Sequence, residues 1–420
     1  MKRSALFFLL LISGISFSQK EYGRTICQTL SNESFYGRGY IKQGDSLAAI
    51  FIANEFKKMK VQPLGESYFQ KFSFPINTFP MDIHLTINGK ELAVGTDYIP
   101  SDASGAFSGD WKFRTIATHE LFDESALIPI LDSLTAKYYN SVVLRQLNLK
   151  GDSLNHLNKL QELLIEYGNV LRVTPDKLTY SASTSQLTNA LFVVDEKAVS
   201  SEIRTVATDI APVFKNKHIS QNVIGFIPAN KKKAPYLFFT AHYDHLGGIG
   251  NQVYFPGASD NASGVAMLLS MASHYKKHVS KYNLVFIAFA GEEAGLIGSH
   301  YYVEHPVIPL KKIKFLVNLD LMGNGEDGVT IVNGSVFKEQ FELLQAINTE
   351  KEYLPVIKSR GKAANSDHYF FTEAGVPSFF IYTMGSNTNY HDIYDVYEDL
   401  SFAKFDEVVN LLIDFVNQLE

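Results

Sequence analysis

The chain has 420 residues, 46% of them hydrophobic and 20% charged, with 44 acidic against 38 basic side chains. That composition excludes a disordered chain and suits one large soluble domain with room for a second. A formal charge of −6 gives no electrostatic reason to expect nucleic acid as a partner. A single cysteine, Cys27, excludes both an internal disulfide and a zinc-thiolate site, so any metal has to be held by His, Asp and Glu.

The opening residues, MKRSALFFLLLISGISFSQ, set Lys2 and Arg3 ahead of an apolar run from Ala5 to Ile12, with small residues at Ser16 and Ser18. This is the pattern of a secretory signal peptide, residues 1–18, and it predicts an exported protein, periplasmic or extracellular. The apolar run is too short to span a bilayer, and no later stretch is long enough to cross one. Cys27 reads as a buried, inert thiol. From Gly44 to Met59 apolar residues recur at helical spacing behind Asp45, which predicts an amphipathic helix capped by that aspartate. Met81 to Gly95 holds two alternating runs around Asn88-Gly89, a hairpin signal.

Up to about residue 198 the pattern is irregular. It predicts a helix near Ser125 to Ala136, a strand at SVVLRQL, a helix at SLNHLNKLQELLIEYG and a strand at ALFVVDE. No cluster of chemically active residues falls here, and the stretch 86–198 reads as a small inserted α+β domain between an N-terminal segment, 19–85, and a main domain, 199–420. The main domain alternates short apolar runs with helical segments, as a mainly parallel, mixed central sheet flanked by helices requires. Its predicted strands are NVIGFI, YLFFTAH, NLVFIAFAG, KFLVNLDL and SFFIYT. Its predicted helices follow Asp260, Glu293 and Val336, and one closes the chain.

Ligands in such sheets bind outside the carboxyl ends of the strands, and the polar residues of this chain collect there. YLFFTAHYDHLGG ends in His242, Asp244 and His245; the next loop carries Asp260; NLVFIAFAG runs into Glu292 and Glu293; KFLVNLD ends in Asp320; and His391 follows SFFIYT. Taken singly each has an ordinary structural explanation. Asp260-Asn261 and Ser366-Asp367 both stand where a helix cap belongs. Taken together the carboxylates need compensation, because two like charges 4 Å apart cost roughly 4 kcal/mol at an effective dielectric of about 20. Histidines in the same crevice favour cations, and imidazole argues for zinc, cobalt or manganese over calcium. Asp260, between the other candidates in sequence, is the natural bridge between two ions, with His242 and Asp320 completing one and Glu293 and His391 the other. Successive side chains leaving a strand point apart, so Glu292 and Glu293 need not do the same job: one can ligate while the other faces a bound water. Asp244 stands where it could accept the second ring N–H of His242.

At these residues the chain resembles the co-catalytic zinc aminopeptidases, family twenty-eight of the metallopeptidases. The resemblance rests on the ordered set His242-Tyr243-Asp244, Asp260-Asn261, Glu292-Glu293, Asp320 and His391, and runs from Asn222 to the C-terminus. YGRGY, the Asp45 helix and YFQKFSF also look like the family's N-terminal segment. The resemblance implies a phosphorylase/hydrolase-like α/β fold and two zinc ions held by His242, Asp260, Glu293, Asp320 and His391. It makes Glu292 the general base and Tyr382 the group that polarises the scissile carbonyl, with Asp244, Asp367 and His368 supporting the ligands from behind. It puts Leu321 and Met322 beside the substrate side chain, and the insertion where relatives carry a protease-associated domain. The implied reaction removes N-terminal residues from peptides with a free amino terminus: two zinc ions lower the pKa of a shared water from about 15.7 towards 7, and Glu292 takes its proton.

Three other readings compete. A glutaminyl cyclase, a one-zinc transferase on the same fold, lacks the first histidine ligand, which is present here as His242. A non-catalytic, receptor-like homologue would have lost ligands, and none is missing. A carboxypeptidase or dipeptidase needs a basic cluster to hold a free carboxylate, for which Lys358, Arg360 and Lys362 are the candidates. The sequence gives no oligomeric state.

Overall fold

Alternation along the central strands decides the layering. In the strand Tyr236–His242, Leu237, Phe239 and Ala241 enter one core while Phe238 enters another. In Asn283–Phe289, Leu284, Phe286 and Ala288 join the first core and Val285, Ile287 and Phe289 the second. A strand whose two faces are both apolar has to be covered on both sides, and it is. The helices Gln19–Leu30, Gly44–Lys58, Gly264–Lys277 and Phe405–Gln418 pack on one face, and Ile297–Glu304 and His368–Glu373 on the other. This is a computed structural model, describing residues 19–117, 120–200, 202–231 and 233–420. The predicted signal peptide lies outside the described residues. Among them no helix is long and apolar enough to cross a membrane.

The sheet has nine strands. At its centre Asn283–Phe289, Tyr236–His242, Ile313–Leu319 and Ser378–Met384 lie side by side, all parallel, and Val213–Ile227 and Gly328–Val332 flank them antiparallel. All five predicted strands of the main domain are present, and the predicted helices form with their ends shifted by up to three residues. Gly328–Val332 and the edge strand Ile357–Ser359 were not foreseen. Asp45 corrects one expectation. It does not cap its helix; its carboxylate is buried and accepts from Ser220 at 2.9 Å and faces His218 Nε2 at 2.8 Å, tying the helix to the long strand Val213–Ile227.

The insertion is α+β, with a five-stranded and a four-stranded sheet of its own. The Asn88-Gly89 hairpin is there, both residues at positive φ, pairing Ile87 with Lys90. Its pairing extends past the expected limits of 86 and 198, because His84–Ile87 and Val206–Ile210 lie next to each other in the four-stranded sheet. The arms Phe69–Thr78 and Val213–Ile227 carry the chain out of the main sheet and back. The insertion is not held at arm's length. Its core takes in Leu246, Ile249, Phe255 and Ile393 from loops of the main domain.

Candidate metal centre

Four elements converge at the carboxyl edge of the sheet. His242 is the last residue of its strand, Glu292 and Glu293 follow Phe289, Asp320 follows Leu319, and His391 lies in the loop after Met384. Asp260 enters from the turn Ala258–Ser263 that precedes the helix Gly264–Lys277. Gly257 at the start of that turn has φ +56, and a Cβ there would lie 2.2 Å from the Asp260 carbonyl oxygen, so only glycine allows the chain to fold this closely.

The Asp260 carboxylate divides the site in two. Its Oδ1 lies 3.3 Å from His242 Nε2, which is 3.4 Å from Asp320 Oδ2. Its Oδ2 lies 3.2 Å from His391 Nε2, which is 3.2 Å from Glu293 Oε2. Donor atoms held tetrahedrally at about 2.0–2.2 Å from a zinc ion stand about 3.3 Å apart. Each half therefore has the spacing of a zinc ligand set; ligand atoms also meet within 4.8 Å in three groups, His242 with Asp260 and Asp320, His245 with Asp260 and Glu293, and His242 with Glu292 and Glu293.

The charges point the same way. Burial disfavours protonated His391, yet the Glu293 charge and the hydrogen bond it donates to Asp260 outweigh it and raise its pKa to about 11. His242 likewise is raised, the charges of Glu292 and Asp320 overcoming burial. Glu293 is lowered to about 2: burial and the Asp260 charge oppose this, but His391 and His245 prevail. The cluster thus draws protons onto its imidazoles to balance its carboxylates, a role that a divalent cation fills by displacing them.

Glu292 has a different setting. Burial, opposed by His242 and reinforced by Glu293, raises its pKa, and its side chain lines a cavity of ≈ 240 Å³ beside His242, Asp260 and Asp320. Leu321, Arg360, Asn365, Phe380, Tyr382 and Tyr390 form the rest of that wall. Of the expected side-chain pocket only Leu321 is present. Met322 is fully buried in the core, its N–H bonded to Ser263 Oγ at 2.7 Å, because it points to the opposite side of the chain from Leu321. The basic cluster also dissolves. Arg360 stands at the cavity, whereas Lys362 pairs with Glu373 and neither lysine lines the wall.

The supporting residues differ in part from expectation. His242 Nδ1 faces the backbone carbonyl of Asp244 at 3.2 Å, with the carboxylate farther off at 3.9 Å. That carboxylate instead accepts the N–H groups of Glu292 and Glu293 at 3.2 and 3.3 Å and the Tyr40 hydroxyl at 2.7 Å, fixing the turn that presents both glutamates. Of the two expected caps the first is made by Asn261, whose Oδ1 accepts the Gly264 N–H at 2.9 Å, and not by Asp260; Asp367 makes no cap bond to its helix. Asp367 is buried, which raises its pKa to about 7, and His368 is buried, which lowers its pKa to about 4; neither reaches the ligand groups above.

Four supports escaped the sequence reading. Ser366 donates to Asp320 Oδ2 at 3.0 Å. His245 Nδ1 lies 2.6 Å from Glu293 Oε1, leaving Oε2 to face His391. Asp395 accepts the N–H groups of Ser259 and Asp260, both at 2.9 Å. Arg38, fully buried, donates to the carbonyls of Tyr243, Pro256, Gly257 and Asp260, at 2.7 to 3.1 Å. The signals for them were position, His245 in the same strand-end run as His242 and Ser366 beside Asp367, and the YGRGY segment that contains Arg38.

An α/β sheet with carboxylates and imidazoles gathered at its carboxyl edge defines a class of metal-site protein. Residues 222–416 match the family model described as Peptidase family M28. It is 34% identical over 163 residues to aminopeptidase YwaD of Bacillus subtilis, an alignment covering 38% of this chain and 34% of the relative. It is 27% identical over 283 residues to a probable leucine aminopeptidase of Trichophyton verrucosum, covering 64% and 74%. In sequence the chain thus spans about a third of the first of these relatives. The fold agrees over more of its length. A zinc aminopeptidase from Bacillus subtilis superposes with a TM-score of 0.68 at 19% identity, covering 95% of each chain. An aminopeptidase from an Aneurinibacillus species does so with 0.65 at 20% identity, covering 95% and 93%.

Proposed function

We propose that the chain is a zinc-dependent aminopeptidase that removes single residues from the free amino terminus of peptides. The observation that carries this reading is the Asp260 carboxylate, with one oxygen toward His242 and Asp320 and the other toward His391 and Glu293. These five residues would hold two zinc ions. Such a pair, when bound, supplies Lewis acidity and an activated water. One histidine and one further carboxylate on each side of Asp260 support two ions over the one-zinc cyclase.

The protein's own groups do the rest. Glu292 is the general base: its carboxylate takes a proton from the attacking water and delivers it to the nitrogen of the leaving amine. Its position on the cavity wall and its raised affinity for a proton both suit that task. The Tyr382 hydroxyl is the donor to the scissile carbonyl oxygen, and Leu321 lies against the first side chain. A cavity of ≈ 240 Å³ is below the roughly 300–1,000 Å³ typical of drug-sized ligands, which suits one terminal residue at a time. The Lys2-Arg3 and Ala5 to Ile12 pattern supports export.

A panel of aminoacyl-chromophore substrates, assayed with and without a chelator, tests the reading. Chelator-sensitive release from free-amine substrates is expected, with acetyl-blocked counterparts left intact. Equal cleavage of blocked substrates would sink the aminopeptidase assignment.

A further inference from the structure

We infer that the inserted region contributes positioning residues to the metal centre: Lys177 and Tyr180 hold the loop that carries His391. The inference rests on the reading of His391 as a zinc ligand. His391 lies between the strand Ser378–Met384 and the short turn Tyr397–Asp399, in a stretch with no helix or strand of its own. Its φ is +55, a region that non-glycine residues rarely occupy. Such a conformation persists only where the surroundings enforce it.

The enforcing contacts come from the insertion on one side. Lys177 Nζ donates to the carbonyls of Thr388 and Tyr390 at 3.1 and 3.3 Å and forms an ion pair with Asp392, whose side chain is 5% exposed. The Tyr180 N–H donates to the carbonyl of His391 itself at 2.9 Å. The Tyr180 ring is buried and stacks on Phe255, centroids 4.8 Å apart and planes within 10°, so that amide is anchored by packing. Ile393 is packed against the same apolar cluster. On the other side the loop reaches Asp260: the Asp395 carbonyl accepts the Ala258 N–H at 3.0 Å, and its carboxylate accepts from Ser259 and Asp260.

The loop is therefore a strut between the insertion and the bridging aspartate. Loosening its insertion end frees His391, and with it the His391–Glu293 half of the site. His242 ends one strand and Asp320 follows another, and their pairing at 3.4 Å does not run through the loop, so their half depends on it less. The insertion is thereby part of the metal site and not only a neighbour of it.

The test uses the full chain with Lys177→Met, and Asp392→Asn as a second variant that removes the same ion pair from the other end. Zinc equivalents and affinities are measured by competition with a chromogenic chelator, and the melting temperature of the zinc-free protein is recorded alongside. Arg204→Met, which removes an exposed pair with Glu202 elsewhere in the insertion, is the control. Wild type should bind two equivalents. Lys177→Met and Asp392→Asn should weaken one of them at least tenfold and leave the other, with a zinc-free melting temperature no lower than that of the control, and Lys177→Arg should restore the weakened site. Two unaltered equivalents in both variants would overturn the inference alone, as would a parallel weakening of both equivalents with a drop in zinc-free melting temperature. A wild-type protein that binds no pair of zinc ions would overturn the aminopeptidase reading and this inference with it.

Discussion

Ser366 donates its hydroxyl to Asp320 Oδ2 at 3.0 Å while accepting from the Asn318 amide at 2.8 Å. The other oxygen, Asp320 Oδ1, is buried and has no hydrogen-bond partner. The serine thus fixes the carboxylate and leaves acceptor capacity that buried oxygens seldom leave unused. Ser366→Ala should cost about 1 kcal/mol of stability and weaken zinc at the His242–Asp320 half by about 10- to 100-fold. Chelator competition against a parallel denaturation curve measures both, and unchanged zinc affinity would count against the role of Asp320.

Glu292 lines the cavity without belonging to either half of the Asp260 division. Glu292→Gln should therefore retain its zinc while kcat falls by about 10²- to 10⁴-fold, the usual range for a general base. Elemental analysis beside steady-state kinetics separates the two effects. Loss of metal in this variant would mark Glu292 as a ligand instead.

Asp244 is fully buried and serves three donors, the amides of Glu292 and Glu293 and the Tyr40 hydroxyl. Asp244→Asn keeps one acceptor oxygen and turns the other into a donor facing donors. A loss of about 1–3 kcal/mol is expected from the unsatisfied group. Tyr40→Phe, which removes one bond to the same carboxylate, should cost less. Urea titration of the zinc-free proteins orders the two, and a Tyr40→Phe loss exceeding that of Asp244→Asn would contradict the assignment.

A separate expectation concerns pH. His274, in the last turn of the helix Gly264–Lys277, has its pKa lowered from 6.5 to about 4 by burial, helped by the charges of His278 and Lys277. Unfolded chain then binds the proton first as pH falls, so the folded state is destabilised between about pH 6.5 and 4 and indifferent above that window. His274→Gln should flatten this part of the stability curve. The difference between wild type and variant, measured without zinc so that ligand loss plays no part, is expected to vanish near neutral pH and grow toward pH 4.

Much of the architecture was legible because burial on two faces leaves a strong mark. Runs such as NLVFIAFAG and YLFFTAH admit few other structures, and the polar residues that end them stand out for that reason. The turn carrying Asn88-Gly89 was equally plain. What the sequence hid were residues that work through backbone groups. Arg38 acts on carbonyls and Asp395 on amides more than a hundred positions away in the chain, and no local spacing encodes such a partnership. Asp45 resembled a helix cap because caps and buried anchors use the same residue types. Met322 was drawn into the pocket by the resemblance, which marks the neighbourhood after Asp320 without saying which side of the chain each residue takes.

Anomalous diffraction from zinc-soaked crystals bears most directly on the central claim. The account predicts two peaks astride the Asp260 carboxylate, one among His242 and Asp320 and the other among His391 and Glu293. A single peak, or two that do not share Asp260, would contradict it.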